Sequence, residues 1–177
     1  ETEQFYISLC ELCVAVESLD KMRVIIEPMD REAHKNYLVG PTAEFVPLIE
    51  RVRKTHSNIG ICWDSAHMRL CNDDLFDSIT ASRELIFQIH LSNAVLERTS
   101  PDFGDRHMPV GVPGFLTIET IAAIFQKGLA LGILGENRPN IGIEVRSKQG
   151  DDPWTNINQC AVILRQAWDI AELRKVM

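Results

Sequence analysis

The feature that most limits the fold is a change of period repeated along the chain. Short apolar runs rich in β-branched residues, at 22–28 (MRVIIEP), 59–64 (IGICWD), 85–92 (LIFQIHLS) and 141–147 (IGIEVRS), recur with helical patterns between them. Such a run, with little polar alternation, reads as a strand buried on both faces. Strands separated by helices build β-α units on a parallel sheet. Apolar residues at helical spacing cover 5–20, 42–55, a shorter stretch near 74–83, 117–130 and 157–176. Thr42 with Glu44 and Glu50, and the triplet Asn72-Asp73-Asp74, supply cap-type residues at or near predicted helix starts. The long exception is 93–115, NAVLERTSPDFGDRHMPVGVPGF, a connection rich in Pro and Gly. Loops of that length inside compact domains are usually functional.

Composition narrows the class. The 177 residues, 45% hydrophobic and 24% charged, suit one soluble globular domain with a sizeable core. A net charge of −7 argues against the broad basic footprint that holds nucleic-acid phosphates, so nucleic acid is not an expected partner. No apolar run approaches the roughly 18 residues that cross a bilayer, and the start ETEQFYISLC lacks the basic flank of a signal peptide. The expectation is a soluble, cytoplasmic chain without membrane contact. Five cysteines (Cys10, Cys13, Cys62, Cys71, Cys160) form no disulfide framework and read as small core side chains, including the C-x-x-C at Cys10 and Cys13.

In parallel α/β architectures the working residues gather at the carboxyl ends of the strands. Here Glu27 ends the first run, Asp64 the second with His67 just beyond it, His90 lies near the end of the third, and Glu144 lies in the fourth. The long connection adds Asp105 and His107. Each has a bland reading alone: Glu27 as a solvated strand end, His90 as a satisfied core histidine, Asp105 as a turn cap, His107 as a surface residue. Glu144, between Ile143 and Val145, is harder to dismiss, because a carboxylate in an apolar strand is costly unless a cation or donor pairs it. Recurrence of the same chemical types at equivalent points of successive units favours a metal site. Carboxylates with a histidine suit a divalent ion such as Mn, Mg, Co or Zn. Arg69, Arg98, Arg106 and Arg146 lie near strand ends and are candidates to hold a phosphate or carboxylate, with Arg146 best placed.

These residues carry a resemblance. The order VIIEP, WDSAH, QIHLSN and IGIEVR resembles the xylose-isomerase-like (β/α)8 barrel superfamily of sugar and sugar-phosphate isomerases and epimerases. The resemblance covers about residues 22–147 and implies an α/β fold of TIM-barrel type, with the single domain 1–177 as the C-terminal half, four β-α units. It further implies that Glu27, Asp64, His90 and Glu144 bind the metal, and that Glu27 and Glu144 also act as the acid/base pair. His67, Arg146 and His107 are then the expected substrate contacts. The segment GDRHMPVGVPG resembles the Asp-Arg-His...Gly element of the apurinic endonuclease branch, in which His67, Asp105 and His107 would hold a further zinc. A non-catalytic barrel half, structural or sugar-binding, is the third reading. A closed barrel needs about 250 residues, so the expectation is a fragment lacking its first half, or a homo-oligomer whose copies complete one another.

Overall fold

The computed structural model describes residues 1–19, 22–33, 35–135, 139–147 and 150–175. In chain order the elements are α1 (Thr2–Glu17), β1 (Val24–Ile26), α2 (Thr42–Arg53), β2 (Ile59–Asp64), α3 (Ser65–Leu70), α4 (Leu75–Ala81), β3 (Ile86–Val95), β4 (Gly104–Met108), α5 (Ile118–Ala130), β5 (Asn140–Glu144) and α6 (Pro153–Lys175). The β-branched runs become β1, β2, β3 and β5, all parallel, in the spatial order β1-β2-β3-β5. This is the α/β architecture of a partial barrel.

One face of this sheet is the core. Strand residues alternate sides, so Ile59, Ile61 and Trp63 of β2 and Ile89 and Leu91 of β3 point at the helices and are essentially inaccessible to water. They meet Phe45, Ile49 and Val52 of α2 and Ile121, Ile124 and Phe125 of α5 within one apolar cluster. Each such side chain, fully buried, contributes about 1.5–3 kcal/mol of transfer free energy. The Trp63 indole N–H finds the Ser78 hydroxyl at 3.0 Å, which removes the penalty of burying a donor. The last helix, α6, packs on α5 through Trp168, whose ring centroid lies 5.7 Å from that of Phe125.

The other face is open only in part. The sequence reading of strands buried on both faces holds for β2, every residue of which is buried, and fails for β1, where Ile25, on the side away from the helices, is 43% exposed. For the same reason Glu144 is not a carboxylate sealed in an apolar strand; its side chain is 41% exposed. Cys62 and Asp64 of β2, and Gln88, His90 and Ser92 of β3, share this face by the same alternation. In a closed barrel it would be the interior.

The 93–115 connection is not a plain loop. β3 overruns the parallel sheet to Val95, and β4 pairs antiparallel with that overrun, Ala94 opposite Asp105 and Val95 opposite Gly104. The remainder is pinned by buried Asn93. Its amide donates to the carbonyls of Pro109 (2.7 Å) and Gly111 (2.8 Å) and accepts from the Leu116 N–H at 2.8 Å. Gly114 is required at this crossing, because a Cβ there would lie 2.1 Å from the Asn93 Oδ1. The predicted cap at Thr42 is also corrected: Pro41 is the α2 N-cap and Thr42 bonds instead to Asp73, 2.8 Å from its N–H and 2.6 Å from its hydroxyl. Asp74 does cap α4, accepting from the N–H groups of Phe76 and Asp77.

Candidate metal centre

The parallel register sets the site. Asp64 lies beside His90 across β2 and β3, and Ser92 lies beside Glu144 across β3 and β5. Ile26 pairs with Ile61, so Glu27 emerges next to the end of β2. The result is that one ligand atom each from Glu27, Asp64, His90 and Glu144 all lie within 4.8 Å of one another. His90 Nδ1 is the hub, 3.3 Å from Glu27 Oε1 and 3.4 Å from Glu144 Oε2. Bonds of about 2.0–2.2 Å from a central ion to N and O donors require ligand atoms at such separations. Three carboxylates converging with few cationic partners are also mutually repulsive without positive charge among them. The donor set therefore fits a divalent ion.

Asp64 has a second duty. It is the N-cap of α3, its Oδ1 accepting from the N–H groups of Ala66 (2.8 Å) and His67 (3.1 Å). Its Oδ2 accepts from the Ser92 hydroxyl at 2.5 Å, and the same hydroxyl lies 3.4 Å from Glu144 Oε2. Ser92, which sequence reasoning missed, thus bridges two of the candidate ligands. Burial pushes the Asp64 carboxyl up to about 6, against the pull of His67 and Ser92. For Glu27, burial raises the carboxyl, but the hydrogen bond to His90 and the charge of His67 outweigh it and leave the group below its usual range. The Cys62 sulfur and the Glu27 carboxylate together hold the His90 ring well above the ordinary imidazole value.

Behind this group sits a second one. His67 of α3 is buried between Asp30 and Asp105, with Nδ1 3.3 Å from Asp30 Oδ2 and Nε2 3.8 Å from Asp105 Oδ2. His107 Nδ1 lies 3.5 Å from Asp105 Oδ1 and 3.7 Å from Glu144 Oε1, so His107 joins the two groups. Its backbone is left-handed, φ 53°, and its carbonyl accepts the Arg146 N–H at 2.8 Å. His67 Nδ1, His107 Nδ1 and Asp105 Oδ2 are buried without a hydrogen-bond partner among the described residues. Desolvation opposes a charge on His67, but Asp30, Asp64 and Asp105 together keep its pKa above the ordinary value.

Asp30 is the other residue that sequence reasoning missed. It is wholly inaccessible to water, and its Oδ1 accepts from the Ala33 N–H at 2.9 Å. With Oδ1 held, Oδ2 presents to the His67 ring. Nothing in MDREAH marks it as different from an ordinary loop aspartate. The expected substrate contacts are divided: His67 lies deep, whereas His107 is partly exposed and Arg146 exposed. The latter two line a cavity of about 430 Å³ with Arg106 and Ser147. Arg69 and Arg98 are engaged elsewhere, Arg69 with the Asp73 carbonyl and Arg98 with Glu32.

A parallel β-α sheet with an acid-and-histidine cluster at its carboxyl-terminal strand ends has the architecture of a partial barrel. The chain belongs to the xylose isomerase-like TIM barrel family, whose profile matches residues 2–143. No curated protein sequence matches it. Among solved structures, D-psicose 3-epimerase with D-tagatose from Clostridium cellulolyticum H10 aligns with a TM-score of 0.69 at 16% identity, over 96% of this chain and 56% of that one. The 3-keto-D-glucoside 4-epimerase of E. coli, apo form, aligns at 0.65 and 20% identity, over 93% and 53%. An AP endonuclease of family 2 from Brucella melitensis aligns at 0.57 and 20% identity, over 83% and 50%. The chain therefore spans about half the length of the structures it resembles. Among the described residues no helix is long and apolar enough to cross a membrane.

Proposed function

We propose that residues 1–177 form one domain, the C-terminal half of a divalent-metal-dependent sugar or sugar-phosphate isomerase or epimerase. The observation that carries this reading is the approach of Glu27 and Glu144 to the same nitrogen of His90, at 3.3 and 3.4 Å, from the two ends of the strand order β1-β2-β3-β5. A divalent ion (Mn, Mg, Co or Zn) held by Glu27, Asp64, His90 and Glu144 would polarise the substrate carbonyl and stabilise the negative charge of an enediolate. Glu27, kept ionised by its neighbours, is in the form that takes a proton from carbon. Glu144 approaches from the other side and is the group placed to return it. The two are 25% and 41% exposed, so a sugar can reach both. Arg146 and His107 border the space a bound sugar would extend into, and buried His67 supports Asp64 and Asp105 from behind.

The test is exchange of carbon-bound substrate hydrogen with deuterated water. Glu27→Gln and Glu144→Gln should each slow exchange and turnover by about a hundredfold or more while the divalent ion is still bound by the remaining ligands. Turnover of every sugar tested at the unsubstituted rate in both variants would contradict the mechanism.

A second reading is favoured by one observation, the buried atoms of His67, Asp105 and His107 that stand in ion-pair range of one another or of Asp30 but make no hydrogen bond among the described residues. They would suit a further zinc, as in an apurinic endonuclease-like phosphodiesterase. That reading predicts more than one zinc per chain and metal-dependent cleavage of abasic DNA that weakens steeply with salt. Absence of both removes it. A non-catalytic barrel half is removed by turnover of any sugar.

A further inference from the structure

We propose that the same strand ends hold a second, mutually exclusive ligand set, Glu27, Cys62 and His90, which takes a thiophilic ion such as zinc or cadmium. Cys62 precedes Asp64 by two residues on β2, so both side chains face the open side of the sheet, the thiol one level deeper. The Cys62 sulfur, a carboxylate oxygen of Glu27 and a ring nitrogen of His90 all lie within 4.8 Å of one another. Metal–sulfur bonds of about 2.3 Å and metal–nitrogen bonds of about 2.0–2.1 Å place ligand atoms at such separations.

The two sets share Glu27 and His90, so one ion cannot be centred in both. Softness decides between them. Manganese and magnesium prefer the oxygen-rich set that includes Asp64 and Glu144, whereas thiolate and imidazole select zinc, cadmium or monovalent copper. Cys62 is 3% exposed, and a buried thiol has no water to compete with an arriving soft ion. As the sulfur–metal bond forms, the thiol proton leaves to solvent, and the ion's charge balances the thiolate left behind. A protein loaded in this way is expected to be inactive, because Glu27 and His90 are taken from the oxygen-rich set; that consequence, unlike the binding, rests on the isomerase reading.

The experiment is a titration of the chain with cadmium chloride, followed by the ultraviolet sulfur-to-cadmium charge-transfer band, beside a manganese titration followed by electron paramagnetic resonance. In the unsubstituted chain the band should saturate at one cadmium and displace bound manganese. Cys62→Ala, and Cys62→Ser as the variant closer in size, should lose the band and bind cadmium about tenfold more weakly or worse. Both should keep manganese binding, which also reports that they fold. A band unchanged in both variants would assign the sulfur to another cysteine and overturn the proposal, as would no band while manganese binds. A Cys62-dependent band in a chain that binds no manganese would leave this proposal standing and overturn the hard-ion centre instead.

Discussion

The two groups of ionisable side chains at the strand ends, close together in space, are built on opposite principles. Glu27, Asp64, His90 and Glu144 sit on or just past β1, β2, β3 and β5, and three of the four remain part-exposed. Asp30, His67, Asp105 and His107 come from a loop, α3 and β4, and the first three are buried. The former group has its ligand atoms turned toward a common point that solvent can reach. In the latter, charges face one another inside protein, where an uncompensated charge is costly. Proximity alone does not make a reaction centre: on the proposed function, the strand-end group carries the chemistry and the deeper group holds it in position.

The largest expected effect separates the groups by turnover. Glu144→Gln should lower kcat by about a hundred- to ten-thousandfold, the range of a lost general acid or base, with the melting temperature nearly unchanged. An unchanged kcat would dissolve the distinction. Next, Asp30→Ala should cost about 3–5 kcal/mol of folding stability in a urea titration, because it leaves the His67 ring buried beside no carboxylate on its Nδ1 side. The manganese affinity of the folded fraction should change much less. If Asp30→Ala left stability intact and abolished manganese binding, the two groups would be one functional unit.

A smaller effect is expected at the rim. Arg146 is exposed and makes no ion pair among the described residues, so Arg146→Gln should leave manganese affinity and folding unchanged. KM for an anionic sugar should rise about tenfold, with a neutral sugar unaffected. Equal effects on both sugars would take Arg146 out of substrate binding. The smallest effect is on pH dependence. Asp64, raised from 3.8 to about 6, contributes stability that is complete below 3.8 and is lost as pH rises through 6. His67, raised from 6.5, contributes stability that is complete below 6.5 and is lost as pH rises past its folded value. Glu27, lowered from 4.5, works the other way, losing its contribution only as pH falls below 4.5. The metal-free chain should therefore gain about 1 kcal/mol from Asp64 alone on acidification from about pH 7.5 to about 5.5. Saturating manganese, which needs Asp64 ionised, should cancel or reverse that gain. A metal-free melting temperature that falls over the interval would contradict the buried state assigned to Asp64.

The strand-end group was legible because it follows a rule of architecture. Parallel strands bring their carboxyl ends together, so Glu27, Asp64, His90 and Glu144 could be placed from the positions of apolar runs. The deeper group obeys no local pattern. Asp30 lies beyond Pro28 in a segment without secondary structure, and its partner His67 arrives from a helix too short to show a period. β4 escaped for a related reason: GDRHM has no strand alternation, and it forms because β3 outruns the parallel sheet and needs a partner for its exposed backbone. Cys62 read as a packing residue and Ser92 went unremarked because nothing in a sequence tells a strand's open face from its covered one. The reading of strands covered on both sides holds for β2 and fails on that point in β1, at Ile25.

The central claim, that one divalent ion is held jointly by the ends of four strands, is tested most directly by electron paramagnetic resonance of manganese titrated into the chain and into Asp64→Ala, His90→Ala and Glu144→Ala. The account predicts one bound ion per chain, weakened in every one of the three variants while far-ultraviolet circular dichroism stays unchanged. Manganese bound with the same affinity in the variants, or none bound by the folded parent chain, would contradict it.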